Sequence, residues 1–235
     1  MECRSLKKFD MVVANPPYSI SDWSRSAFES DRYGRNILGV PPQGRADYAF
    51  IQHILVSMNS GTGRCAILLP HGVLFRNEEK GMREKLVRSD MLECVIGLGP
   101  NLFYNASMEA CIVICRTKKP DSHKGQVLLI NAVNEVTRKN AQSYLEPQHI
   151  DKVIHAYEAF KSDGDIAKKV SIRDIENNGF SLNLSLYLPA GTGSGESDQR
   201  DIQSRYEDWV LARESARYSC DVLCRLLAEG RGQNG

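Results

Sequence analysis

The chain has 235 residues, 42% of them hydrophobic and 25% charged, the composition of a soluble globular protein rather than a disordered or fibrous one. That length accommodates one ordinary domain, or one domain with an appendage, and excludes a large multidomain machine. Thirty Lys and Arg residues offset 29 Asp and Glu to leave a net charge of +1, so a nucleic-acid partner has to meet a local basic surface rather than a whole-chain field.

Apolar runs such as 65–70 and 110–115 are far too short to cross a bilayer, and the opening MECRSLKKF has no apolar stretch behind it. Neither membrane nor secretion signal is expected, and the protein is expected in the cytoplasm. Cysteines number seven, an odd count, and Cys65, Cys94, Cys111 and Cys115 lie in strand-like runs. They read as small buried hydrophobes of a reducing compartment. Neither Cys111/Cys115 nor Cys220/Cys224 has companion ligands at zinc-site spacing, so no metal is expected.

In chain order, FDMVVA (9–14) reads as a fully buried strand stopped by Asn15-Pro16-Pro17. A polar stretch over 19–45 without steady period reads as a long functional or mobile loop. Residues 47–58 carry apolar side chains at helical spacing and end at Asn59-Ser60-Gly61. RCAILLP (64–70) is a buried strand, 77–88 a helix charged on one face, and 93–98, 109–116 and 126–131 three further strands. This alternation predicts an α/β domain with a largely parallel sheet and an antiparallel edge.

Beyond it come a charged helix (146–161), a short segment SIRDIENNGF and an extended piece ending at Pro189. GTGSGES (191–197) has linker composition, and 202–229, free of Pro and Gly, reads as one long helix with a heptad seam interrupted by Arg213. The expected organisation is an α/β unit over 1–135, a follow-on helical and extended region over 136–190, a linker over 191–198 and a long helix over 199–235, which reads either as docking on a partner or as an amphipathic helix folded onto its own domain.

The chemistry concentrates at Asn15-Pro16-Pro17-Tyr18. In a parallel α/β sheet, ligands bind outside the carboxyl ends of the strands, which is where this tetrapeptide falls. Two prolines fix φ and remove two donors, leaving a rigid turn that presents carbonyl oxygens and the Asn15 amide as acceptors beside an aromatic ring. Such a site suits a planar substrate with an amino group. The Asn15 side-chain oxygen and the Pro16 carbonyl each accept one N–H, drawing the nitrogen lone pair out of conjugation, while Tyr18 stacks on the ring. Alone, Asn-Pro-Pro is also an ordinary turn.

In order and spacing, FDMVVANPPYS, RADYAFIQHILVSMNSGTGRCAILLPHGVLF and GPNLFYNASMEACIVICR, followed by NAQSYLEPQHIDKVIHAYEAF and SLNLSLYLP, closely resemble the adenine-specific DNA methyltransferases, in particular the modification (M) subunit of type I restriction-modification systems. The resemblance covers roughly residues 5–189. It implies a Rossmann-like methyltransferase sheet and methyl transfer from S-adenosylmethionine to N6 of an adenine flipped out of duplex DNA.

On that resemblance, Asn15 and Pro16 polarise the amine, Pro17 shapes the turn, Tyr18 stacks on the base and Phe103, beside Tyr104, is the second aromatic against it. Asp47, Tyr48 and Phe50 match the segment lining the pocket. Tyr48 and Phe50 read equally well as helix core, and His71 is a cleft-facing candidate or a histidine satisfied by backbone. The implied partners are DNA, a specificity (S) subunit and a restriction (R) subunit.

The sequence also departs from that pattern. Family members carry a glycine-rich cofactor loop well before the NPPY motif, whereas 14 residues precede Asn15 and no Asp-Pro-x-x-Gly-x-Gly run occurs. The chain looks like the C-terminal part of an M subunit, with the strands that hold most of the S-adenosylmethionine absent and the isolated chain inactive. Two other readings stay open: a non-catalytic assembly module, and an NPPY methyltransferase acting on RNA or protein glutamine.

Overall fold

The computed structural model describes residues 6–103, 108–139 and 142–188. The expected linker and C-terminal helix lie outside the described residues, as does Tyr104.

A six-stranded sheet runs in the order β1 (Met11–Ala14), β2 (Arg64–Pro70), β4 (Ala110–Arg116), β3 (Leu92–Leu98), β5 (Gln126–Ala132) and β8 (Ala167–Ser171). Pairs β1/β2 and β3/β5 are parallel, while β2/β4, β3/β4 and β5/β8 are antiparallel. The antiparallel strand expected at the edge is therefore β4 in the interior. The actual antiparallel edge is β8, whose AKKVS sequence lacks the continuous apolar run that marks the central strands. A separate two-stranded ribbon joins β6 (Thr137–Lys139) to β7 (Gln142–Tyr144).

Helices α2 (Asp47–Ser57) and α3 (Lys80–Arg88) share one core with Cys65, Ile67 and Leu69 of β2 and Cys111, Val113 and Cys115 of β4. On the opposite face, α4 (Pro147–Ala159) lies over β3 and β5, where Cys94, Ile96, Leu98, Leu128 and Ile130 meet Ala156 and Phe160. A Pro at its first turn and a reciprocal Glu146/His149 capping box start α4. Two short helices, α1 (Arg25–Glu29) and α5 (Ile172–Asn177), complete the elements.

The first strand differs most from expectation. Read as fully buried, β1 is instead an edge strand of alternating exposed and half-buried residues, with Met11 54% and Val13 77% exposed. An apolar run fixes strand character, but burial depends on neighbours, and among the described residues β1 pairs with β2 alone. The segment read as extended before Pro189 is a 3-10 turn at Leu184–Leu186, begun by Asn183 accepting from the Ser185 amide.

Candidate active site

The pairings bring five sequence motifs to one rim of the sheet. Pro70, Ala110, Leu98 and Ala132 fall in a single row across β2, β4, β3 and β5. The parallel β1/β2 pair adds the end of β1 to that rim. Outside it stand the NPPY turn after β1, His71 after β2, the loop with Phe103 after β3, Glu109 before β4 and Asn131 to Asn134 around the end of β5. The rim is crowded: a Cβ at Gly99 would strike the Val133 carbonyl, so only glycine lets the loops after β3 and β5 approach.

In the turn itself Asn15 is exposed, Pro16 buried, Pro17 exposed and Tyr18 half-buried. Burial pushes the Tyr18 phenol up, so it stays neutral and suited to stacking. The next residue, Ser19, holds the left-handed conformation at φ 48°, costing a non-glycine residue about 1 kcal/mol or more. Asp47 secures it. Ser19 donates its backbone N–H to Asp47 Oδ1 at 2.8 Å and its hydroxyl to Oδ2 at 3.4 Å. Arg76 donates to Oδ2 at 2.9 Å from the other side.

Asp47 is 1% exposed at the first turn of α2, where a helix end favours a carboxylate. It therefore sits beneath the NPPY turn and anchors Ser19, with its carboxylate buried rather than open to a pocket. Of the two readings of Tyr48, pocket-lining by resemblance and helix core, the structure shows core: it is 2% exposed and its hydroxyl donates to the Val73 carbonyl at 3.4 Å. Phe50 is half-buried on the same helix.

Two buried charges behind this anchor escape a sequence reading. Arg83 looks like part of the charged face of α3, yet it is 1% exposed and donates to the carbonyls of Phe180 (2.6 Å), Arg76 (3.1 Å) and Val73 (3.3 Å). It ties the segment after β2 to the segment after α5. Glu79 is fully buried 3.6 Å from Arg76, and neither carboxylate oxygen accepts a hydrogen bond among the described residues. Burial, opposed by Arg76, pushes its carboxyl up to about 7. The only sequence signal for this cluster is the run of charges in RNEEKGMREK, which equally fits a solvated face.

Next to the turn along the rim, His71, Phe75, Glu109, Asn131, Asn134, Asn183 and Ser185 line a cleft of about 540 Å³. His71 Nδ1 lies 3.3 Å from Glu109 and its ring meets Phe75 edge-on at 5.7 Å. Burial lowers its pKa against the pull of Glu109, leaving the imidazole neutral near pH 7. His71 is thus the cleft-facing residue of its two readings. Phe103 is half-buried and packs against the core beneath α4, while Asn15 borders a second, apolar groove with Val13, Ala14, Ala66, Leu68 and Ile112. The rim brings Asn15, Tyr18 and Phe103 to one end of the sheet, and Asp47 acts from below.

Among the described residues β1 is the edge strand on its side of the sheet. Gly61 and Gly63 lie between α2 and β2, at the opposite end of the strands, and a Cβ on Gly63 would clash with Asn59 and Met58 of its own turn. Both glycines therefore lie away from the rim that carries the NPPY turn.

The N-6 DNA methylase family model matches residues 2–194, and the chain belongs to that family. It is 32% identical over 213 residues to the type I restriction enzyme MjaVIII methylase subunit of Methanocaldococcus jannaschii, covering 88% of this chain and 36% of that protein. The MpnII methylase subunit of Mycoplasma pneumoniae is 30% identical over 221 residues, covering 92% and 40%. Among solved structures, the type I methyltransferase subunit from Streptococcus thermophilus superposes with a TM-score of 0.71 at 33% identity, over 77% of this chain and 38% of that one. The chain spans about two-fifths or less of the length of these relatives.

Proposed function

We propose that this chain carries the target-amine half of an adenine-N6 DNA methyltransferase site of a type I restriction-modification system. The carrying observation is the NPPY turn, held at the carboxyl rim by Asp47 with Asn15 open to ligand and Tyr18 beside it. An exocyclic amine offers two N–H donors. Asn15 Oδ1 and the Pro16 carbonyl accept them, pulling the nitrogen toward tetrahedral geometry and freeing its lone pair as a nucleophile. Extrusion of the base is required because the paired amine is inside the stack, and Tyr18 with Phe103 replaces the lost stacking. The family draws the methyl group from S-adenosylmethionine. The described residues orient and activate the acceptor.

DNA recognition falls to a specificity subunit, which fits a net charge of +1 on a chain that need not capture DNA alone. The segment 199–235 is the docking element for that subunit, and a restriction subunit completes the system. Deleting 199–235 should abolish association with the specificity subunit; unchanged association removes that assignment. For the chemistry, the chain completed by the missing part should form N6-methyladenine in DNA and nothing on RNA or protein glutamine. Methylation confined to RNA or protein would replace the proposed substrate.

A further inference from the structure

The cleft beside the NPPY turn has walls that its own contacts hold in place. On one side the His71 N–H donates to the Glu109 carbonyl at 3.1 Å, and the imidazole Nδ1 lies 3.3 Å from the Glu109 carboxylate. On the other side Leu184 packs so closely over Gly97 that a Cβ there would lie 3.2 Å from it, and the Leu182 N–H donates to the Leu74 carbonyl at 2.8 Å. Two amides in the lining have their oxygens engaged locally. Asn131 Oδ1 accepts from the Val133 N–H at 3.3 Å and Asn183 Oδ1 from the Ser185 N–H at 3.4 Å, which leaves their NH2 groups as donors in the same cleft as the acceptor Glu109. Phe75, braced edge-on by the His71 ring, keeps 44% of its surface exposed in this polar setting.

We infer that this cleft binds a second nucleobase of the DNA, the neighbour of the target adenine. This deepens the function proposed above and rests on it for the identity of the polymer. The cleft's volume of about 540 Å³ falls within the range of about 300–1,000 Å³ of small-ligand sites. Amide donors on Asn131 and Asn183 beside an acceptor on Glu109 match the mixed donor and acceptor edge of an unstacked base, and the open ring of Phe75 gives its plane a stacking partner. A backbone phosphate does not fit. Among the described residues no Lys or Arg lines the cleft, and the Glu109 carboxylate repels an anion. Position selects the neighbouring base. His71 follows β2, and β2 lies beside β1, which leads into Asn15, at the strand spacing of about 4.8 Å. A base in the cleft is therefore one nucleotide's reach from an adenine on the NPPY turn, and its capture fixes the strand on which that adenine is presented.

Fluorescence of 2-aminopurine, which stacking quenches, tests this without any methyl transfer. The full chain is titrated with a single-stranded oligonucleotide whose central adenine is flanked on both sides by 2-aminopurine. Quenching is expected on binding. Phe75→Ala should remove most of it and weaken binding about tenfold, the loss of one base stack, and Phe75→Leu, which keeps apolar bulk without the ring, should remove the quenching too. Phe75 is 44% exposed, so both variants should keep the wild-type melting temperature. An oligonucleotide with abasic sites in place of both 2-aminopurines should bind wild type about tenfold more weakly and be indifferent to Phe75→Ala. No quenching, quenching that survives Phe75→Ala, an abasic oligonucleotide that still responds to Phe75→Ala, or displacement of the bases by inorganic phosphate overturns the inference. Phe75-dependent quenching in a chain whose binding is indifferent both to the central adenine and to Asn15→Ala overturns only the functional reading.

Discussion

Two buried glutamates at opposite ends of the sheet show how differently its two regions are finished. Glu93, at the start of β3, accepts hydrogen bonds from Arg116 (3.1 Å), His123 (3.0 Å) and Tyr157 (2.9 Å), and the His123 ring stacks on Phe160 at 3.5 Å. Burial works against its charge, yet these three donors hold its carboxyl below the usual range. Glu79, behind the NPPY rim, accepts no hydrogen bond among the described residues and has a carboxyl pushed up to about 7. The region of β3, β5, β8 and α4 is closed on both faces with its polar groups satisfied. The region of β1 and the NPPY turn keeps a buried carboxylate that accepts no hydrogen bond among the described residues, and an apolar edge strand with Met11 and Val13 exposed. Exposure of apolar side chains is greatest at the β1 edge, whereas left-handed non-glycine residues occur on both sides, at Ser19 and at Asp90, Asn101 and Phe160.

The sharpest break in this contrast is at Asn15. Asn15→Ala in the completed protein removes one of two acceptors aimed at the amine and should lower methyl transfer by ~10²–10³-fold, read by mass spectrometry of N6-methyladenine, while leaving chain stability within about 0.5 kcal/mol. In the closed region the effect is on folding instead. Glu93→Ala strips the common partner from Arg116, His123 and Tyr157 and should cost about 3 kcal/mol in urea denaturation. The stabilisation from Glu93 is present above the unfolded carboxyl pKa and is lost as pH falls through the lowered folded value, so wild type and variant should converge in acid.

Between these lies Asp47→Ala. Freeing Ser19 should slow transfer about tenfold through kcat with KM little changed, because a positioning residue is lost rather than a contact to the base. The Ser19 amide should exchange with solvent about tenfold faster, a change that mere loosening elsewhere would not place there. Smallest is Glu79→Gln. With a folded carboxyl near 7, Glu79's contribution to stability is full below the unfolded value and disappears as pH rises through about 7. The variant should therefore gain about 1–2 kcal/mol on wild type between pH 5 and pH 8, read from chemical denaturation at each pH.

Continuous apolar runs bounded by Gly or Pro made β2 and β5 legible almost to the residue, and helical spacing did the same for α2. The convergence of NPPY, His71 and Phe103 on one rim was reachable through the family resemblance, because the strand order that joins them is long-range. Three features were hidden for physical reasons. The exposure of β1 depends on what lies beside it and leaves no mark on MVVA. Lys168 and Lys169 disguise an edge strand that bonds through its backbone. The buried bonding of Asp47, read as pocket-lining, and of Arg83, read as part of a charged helix face, is hidden because their partners, Ser19 and the carbonyls of Val73 and Phe180, are distant in the chain or carry no side-chain signature.

Formation of N6-methyladenine in DNA by the chain together with the cofactor-binding half tests the central claim most directly. The account predicts transfer by the pair, none by this chain alone, and loss of transfer with Asn15→Ala. Transfer by the isolated chain, or transfer by the pair that is indifferent to Asn15→Ala, would contradict it.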